Sequence, residues 1–189
     1  MLQQRVANLI GFFCLVASLA SATTIRPVSV EHLTAESTHV VEGQAVSSYA
    51  AWDAEHKGIY TYTTFQVTKV LKGQLAQSTV IVKQYGGRVG DMVAYRPGVR
   101  SLPSGQETVL FLFPSPNGDG TMAVTGLMQG NFTVTHSAAG SKMVSNGVPA
   151  PSPDVPTYEA GTPVAHENRM PLTTLEERVK SALTSKEVR

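Results

Sequence analysis

Between Val40 and Gly73 the chain reads VVEGQAVSSYAAWDAEHKGIYTYTTFQVTKVLKG, two long β-type runs around a polar turn. In the second run, Ile59 to Leu71, residues Ile59, Phe65, Val67 and Leu71 share one parity. Tyr60, Tyr62, Thr64, Gln66 and Thr68 share the other. A period of two is the signature of a strand with one face in a core, and a helix does not produce it. The run is also rich in Tyr, Thr, Phe and Val, which suit a pleated surface. The first run, Thr38 to Ala51, draws its apolar content from Val40, Val41, Ala45, Val46 and Tyr49, and Gly43 interrupts it. A glycine inside a strand marks a bulge or a place where another backbone comes close. Asp53 to Gly58, DAEHKG, has turn chemistry. The second run has 13 residues, whereas strands average about 5–6. It therefore predicts strong curvature, as in a small barrel.

The flanking segments fit the same class. Ser29 to Ser37 predicts a short helix with Ser29 as N-cap and Glu31 near its positive end. Ser78 to Tyr85 is a third strand, ended by Gly86-Gly87, and Arg88 to Gly105 reads as irregular. Glu107 to Phe113 is apolar on both parities and should be central and buried. After the connection PSPNGDG, Thr121 to Leu127 and Asn131 to His136 form a strand broken at Gly126 or Gly130. Lys142 to Ser145 adds a small edge strand. Pro149, Pro151, Pro153, Pro156 and Pro163 mark residues 147–171 as an extended linker. Residues 172–189 then predict an amphipathic helix with Leu172, Leu175, Val179 and Leu183 near one face. Thr173 and Glu176 fit a capping box there, with Thr174 and Glu177 as the other register. The expected architecture is mainly β: a five-stranded OB-type β-barrel over residues 23–146, with a short N-terminal helix and a C-terminal amphipathic helix. A β-sandwich is the alternative, but it prefers seven or more shorter strands.

Residues 1–22 read as a secretory signal peptide. Arg5 precedes a largely apolar run from Leu9 to Ala17, and Ala20-Ser21-Ala22 has the small-residue pattern of a cleavage site between Ala22 and Thr23. The run is shorter than the roughly 20 residues a membrane-spanning helix needs, so no transmembrane segment is expected after cleavage. The single Cys14 lies inside this run. The exported chain would then hold no cysteine, which fits a secreted or periplasmic bacterial domain stabilised by its core rather than by disulfides. The full chain has 15 basic and 14 acidic residues. These charges are scattered, and a nucleic-acid partner would need a basic face.

The segment from Thr38 to Val46, THVVEGQAV, followed by Tyr60 to Val70 ending in Leu71-Lys72-Gly73, resembles the netrin/tissue-inhibitor-of-metalloproteinase superfamily. Gly86-Gly87 and the run Ser104 to Leu112 stand at matching places, and Val124 to Phe132 is similar to an exported bacterial group associated with matrixin-type metalloproteases. The resemblance covers Ser29 to Val144 and implies an OB-type barrel. Animal members grip the catalytic zinc of their target with a disulfide-fixed N-terminal cysteine. Here Thr23 would come first and no cysteine follows, so that mechanism does not carry over.

No residue pattern announces a reaction or a cofactor. His32, His39, His56, His136 and His166 lie in different segments with no zinc-ligand spacing, although His39 and His136 could meet across strands. No G-x-S-x-G elbow occurs. Asn117-Gly118-Asp119-Gly120 lacks the further ligands of a calcium loop and reads as a hairpin turn. Trp52, Tyr60 and Tyr62 are the candidate binding surface, an aromatic platform of the kind OB barrels use. The expected role is a non-enzymatic protein-binding module, a partner or modulator of a secreted metalloprotease. The alternative is a cell-envelope structural or small-ligand-carrying protein with an apolar pocket under the C-terminal helix.

Overall fold

The computed structural model describes residues 27–138, 140–148 and 169–187. Cys14, the expected cleavage site at Ala22 and Thr23, and most of the proline-rich segment lie outside the described residues. The fold is mainly β, a large mixed sheet with a short helix near its start and a longer one at its end.

Helix α1, Val30–Glu36, opens as expected: the Ser29 side chain accepts a hydrogen bond from the His32 backbone N–H at 3.1 Å. Strands β1, His39–Trp52, and β2, Ile59–Lys72, form one long antiparallel pair. The pairing slips at three places, one of them between Glu42 and Gly43. A Cβ at Gly43 would stand 2.1 Å from the Gln66 carbonyl oxygen, so only glycine lets the two backbones close here. The Lys72-Gly73 stop also has a structural cause. Lys72 Nζ donates to the carbonyls of Thr34 and Ser37, both at 2.5 Å, at the end of α1. Gly73 takes a left-handed φ of 82° where a Cβ would meet the Thr38 oxygen at 2.6 Å.

β3, Thr79–Tyr85, pairs with β2. The segment expected to be irregular holds a small separate ribbon instead: β4, Gly87–Val89, and β5, Met92–Ala94. Three-residue strands, the first flanked by Gly86 and Gly90, leave no alternation to read. β6, Glu107–Pro114, has Val109, Leu110, Phe111 and Leu112 with no exposed surface at all, as its two apolar parities predict. β7, Met122–Val124, and β8, Asn131–His136, both pair with β6 and are separated by a 3₁₀ turn at Leu127–Gly130. That is the predicted broken strand, with Gly126 in the left-handed region at the break.

β9, Lys142–Ser145, pairs with β8, and β10, Arg169–Pro171, pairs with β9. β10 runs directly into α2, Leu172–Glu187. Two sequence expectations change here. The segment reserved for linker ends in a strand. Thr173 sits inside the helix rather than at its cap, and the Glu176 carboxylate accepts from Lys69 at 2.8 Å. The sheet holds eight strands rather than five, in the order β1-β2-β3-β7-β6-β8-β9-β10, because β8, β9 and β10 continue it past β6. A further pairing joins β1 to β6. The neighbours β1, β2, β3, β7 and β6 therefore lead back to β1, with one parallel contact at Val82 and Met122.

Two cores share this sheet. Val41, Ala45, Phe65, Val67, Val82, Leu110, Leu112 and Met122 fill one. On the other face, Val40, Val109, Phe111, Phe132, Val144 and Met170 meet Leu33 of α1 and Leu172, Leu175 and Val179 of α2. The C-terminal helix is thus docked. Arg178 fastens it to α1, donating to both carboxylate oxygens of Glu31 at 2.7 and 2.8 Å. That guanidinium holds the Glu31 carboxyl below its ordinary value.

Candidate binding surface

The side chains that stand out chemically lie where β1, β2 and β3 run beyond β6. Register decides which face each occupies. Tyr49 is opposite Tyr62, and Tyr62 is opposite Lys83. Tyr60 is opposite Ala51 on one side and Tyr85 on the other. Directly opposed residues of an antiparallel pair share a face, so Tyr49, Tyr60, Tyr62, Lys83 and Tyr85 form one surface. Trp52 is opposite Ile59, on the reverse face, and its ring lies 6.2 Å from that of His56 in the β1–β2 turn. Of the three residues expected to make a platform, the fold brings Tyr60 and Tyr62 together and turns Trp52 away. Unbroken alternation from Ala45, which faces Phe65, would have put Trp52 on the face of Tyr60 and Tyr62; the slip between Ala45 and Ser47 turns it to the other.

Sequence reading missed Tyr49, Tyr85, Lys83 and Asp119. The Tyr49 and Tyr62 rings stack at 5.3 Å, and the Tyr60 and Tyr85 rings meet edge to face at 5.4 Å. Lys83 Nζ sits 4.7 Å from the Tyr60 ring centre and 5.5 Å from that of Tyr62. It donates to Asp119 Oδ2 at 2.7 Å, and its side chain is only 7% exposed. Asp119 belongs to the β6–β7 connection and is fixed further by Thr121, whose Oγ1 donates to it at 2.5 Å. The Lys83 hydrogen bond, followed by that of Thr121, lowers the Asp119 carboxyl to about 2. Burial pulls the Lys83 ammonium down, but its interactions with Asp119 and Tyr62 together outweigh burial and hold it above its ordinary value. Both groups are charged across the ordinary pH range. The pair therefore acts as a clamp between the β6–β7 connection and the tyrosine face rather than as an acid or base. Only the separation of the two segments in sequence, 36 residues, kept it from view.

A second feature is a cleft of ≈ 420 Å³ lined by Gly43, Gln44, Thr68, Gln106, Glu107 and His136, among others. Beside it Lys142 bridges Glu42, at 3.3 Å, and Glu107. The Glu107 bond, against the opposing effect of burial, raises the Lys142 ammonium. A lysine held charged between two carboxylates ties β9 to β1 and β6, and offers no free base. His136 pairs in register with Lys142, while His39 Nε2 donates to the Gln74 carbonyl at 3.0 Å. The two histidines make separate contacts. Among the described residues no group of three or more His, Cys, Asp or Glu side chains is placed to hold a metal ion. The space beneath α2, where an apolar pocket was the alternative expectation, is filled by Phe111, Phe132, Leu175 and Val179. No helix among the described residues is long and apolar enough to cross a membrane. Comparison of the sequence with protein-family models and with curated proteins returns no match.

Proposed function

We propose that the chain is an exported OB-type barrel that binds another protein, through the tyrosine face of β1, β2 and β3. The observation that carries this reading is the clamped cluster of Tyr49, Tyr60, Tyr62 and Tyr85 around Lys83 and Asp119. Tyrosines already stacked on one another lose little freedom on binding, and tyrosine is among the residues that dominate protein interfaces. The cation in their midst is neutralised by Asp119, and the chain carries 15 basic against 14 acidic residues. Such a surface suits a protein better than a polyanion. The OB-type reading is supported by the return of β1, β2, β3, β7 and β6 to β1 with a parallel β3–β7 contact. In that architecture ligands sit on the face of the second and third strands, flanked by the first hairpin turn and the last connection. Here those are the Asp53–Gly58 turn, closed by the Asp53 N–H to Gly58 carbonyl bond at 2.9 Å, and the connection holding Asp119.

The partner we propose is a secreted metalloprotease, on the resemblance of residues 29–144. The interaction would use the strand face rather than a zinc-gripping terminus. Titrating a matrixin-type catalytic domain into residues 23–189 should give a dissociation constant of about 10 µM or tighter. Tyr62→Ala should weaken it at least about tenfold. Binding that survives both Tyr62→Ala and Tyr60→Ala unchanged would remove the face from the reading. No binding of any such protease would remove the partner.

A further inference from the structure

The far half of β1 has an open edge. β2 pairs with β1 as far as Trp52, but β6 covers the opposite edge only from His39 to Gln44. The chain before β6 extends that cover a little: Gly105 N–H donates to the Ala45 carbonyl at 2.8 Å and Ser104 Oγ to that of Val46 at 2.8 Å. From Ser47 to Trp52 this edge has no backbone partner among the described residues.

Strand geometry tells which groups point outward. The Asp53 N–H bonds to the Gly58 carbonyl, so Asp53 is turned toward β2. Alternation then turns Ala51, Tyr49 and Ser47 toward β2 as well. The N–H and C=O groups of Ser48, Ala50 and Trp52 face away from it, in a row. The segment Val46 to Trp52, VSSYAAW, holds no charge and no proline. Val46 is 50% and Tyr49 63% exposed. Natural sheets blunt open edges with lysine, proline, bulges or an inward charge, and a long uncharged edge is a template for another strand. None of those devices occurs between Ser47 and Trp52. The register slips of β1, the last of them between Ala45 and Ser47, all lie before the open stretch begins.

We propose that this edge pairs with the same edge of a second copy, antiparallel about a two-fold axis. An uncharged segment meets itself in any register without opposing like charges. An antiparallel pair of identical edges is self-complementary, as a two-fold interface requires. It also carries the tyrosine row across the junction: Tyr62 stacks on Tyr49, and the second Tyr49 with its own Tyr62 follows. Two sheets become one, and two tyrosine faces lie side by side. The proposal stands whether or not those faces bind a protease.

The test is sedimentation equilibrium of residues 23–189 from about 1 to about 500 µM, with circular dichroism to show that each variant folds. The wild-type mass should rise towards twice the monomer value. Ser48→Pro removes an outward N–H and leaves the bonds to β2 intact, so it should weaken association by about tenfold or more. Tyr49→Lys and Tyr49→Glu should each be monomeric alone, and an equimolar mixture should recover the dimer, because the two side chains would lie across the axis from one another. A wild-type chain monomeric throughout would overturn the proposal and leave the edge to a strand from another protein. So would a dimer indifferent to Ser48→Pro and to both Tyr49 substitutions.

Discussion

The two halves of β1 have the same neighbour, β2, and opposite fates. From His39 to Ala45 the strand is hydrogen-bonded on both edges and packed on both faces. Val40 lies under the helices and Val41 faces the core of Phe65 and Leu110. From Ser47 to Trp52 its only hydrogen-bonded strand among the described residues is β2, and its tyrosine-bearing face is open. The slip between Ala45 and Ser47 is the border. The near half is what a fold requires. The far half carries exposed aromatics and backbone groups with no partner among the described residues, the surplus on which both proposals above rest.

Substitutions can break or sharpen that contrast. The largest effect belongs to the near half: Phe65→Ala empties a fully buried ring site and should cost about 3–5 kcal/mol in urea unfolding. A cost under about 1 kcal/mol would mean that this core is not packed as described.

Asp119→Asn, which unclamps the tyrosine face beside the far half, should cost about 1–2 kcal/mol, because it leaves Lys83 shielded without its counter-charge, while the partial exposure of Asp119 screens the loss. Its pH dependence is specific. The Asp119 carboxyl is depressed from 3.8 to about 2, so its stabilising contribution is complete above about pH 4 and fades as the pH falls towards 2. The gap between wild type and Asp119→Asn in thermal melts should be constant at neutral pH and close across that acid window. A gap that widened on acidification would contradict the clamp.

Tyr49→Ala should be the mildest. It removes one exposed stack, worth about 0.5 kcal/mol or less to stability, while its effect on association should be far larger. Equal losses in both would erase the distinction between the halves.

Much of this was legible in the residues. The alternation from Ile59 onward gave β2 its bounds, the double-sided apolar run gave β6 its central place, and Ser29 gave α1 its cap. Gly43 and Gly126 marked a close backbone approach and a break. What was not legible depended on pairings between distant segments. The β4–β5 ribbon is too short to alternate. β10 exists because β9 offers it an edge, although its own sequence, Arg169–Pro171, ends in a proline. The site was half visible: Tyr60 and Tyr62 follow from the period of β2. Tyr49 joins them only after a bulge resets parity, and Lys83 meets Asp119 only through tertiary structure.

One feature of β6 reaches beyond packing. Its alternate residues serve different masters, Leu110 and Leu112 on one side, Val109 and Phe111 on the other. A strand that is wall to two rooms cannot be lost from one alone. The helical layer and the closed run of strands should therefore melt together, as one transition, despite the long stretch of chain that separates α2 from the strands it covers.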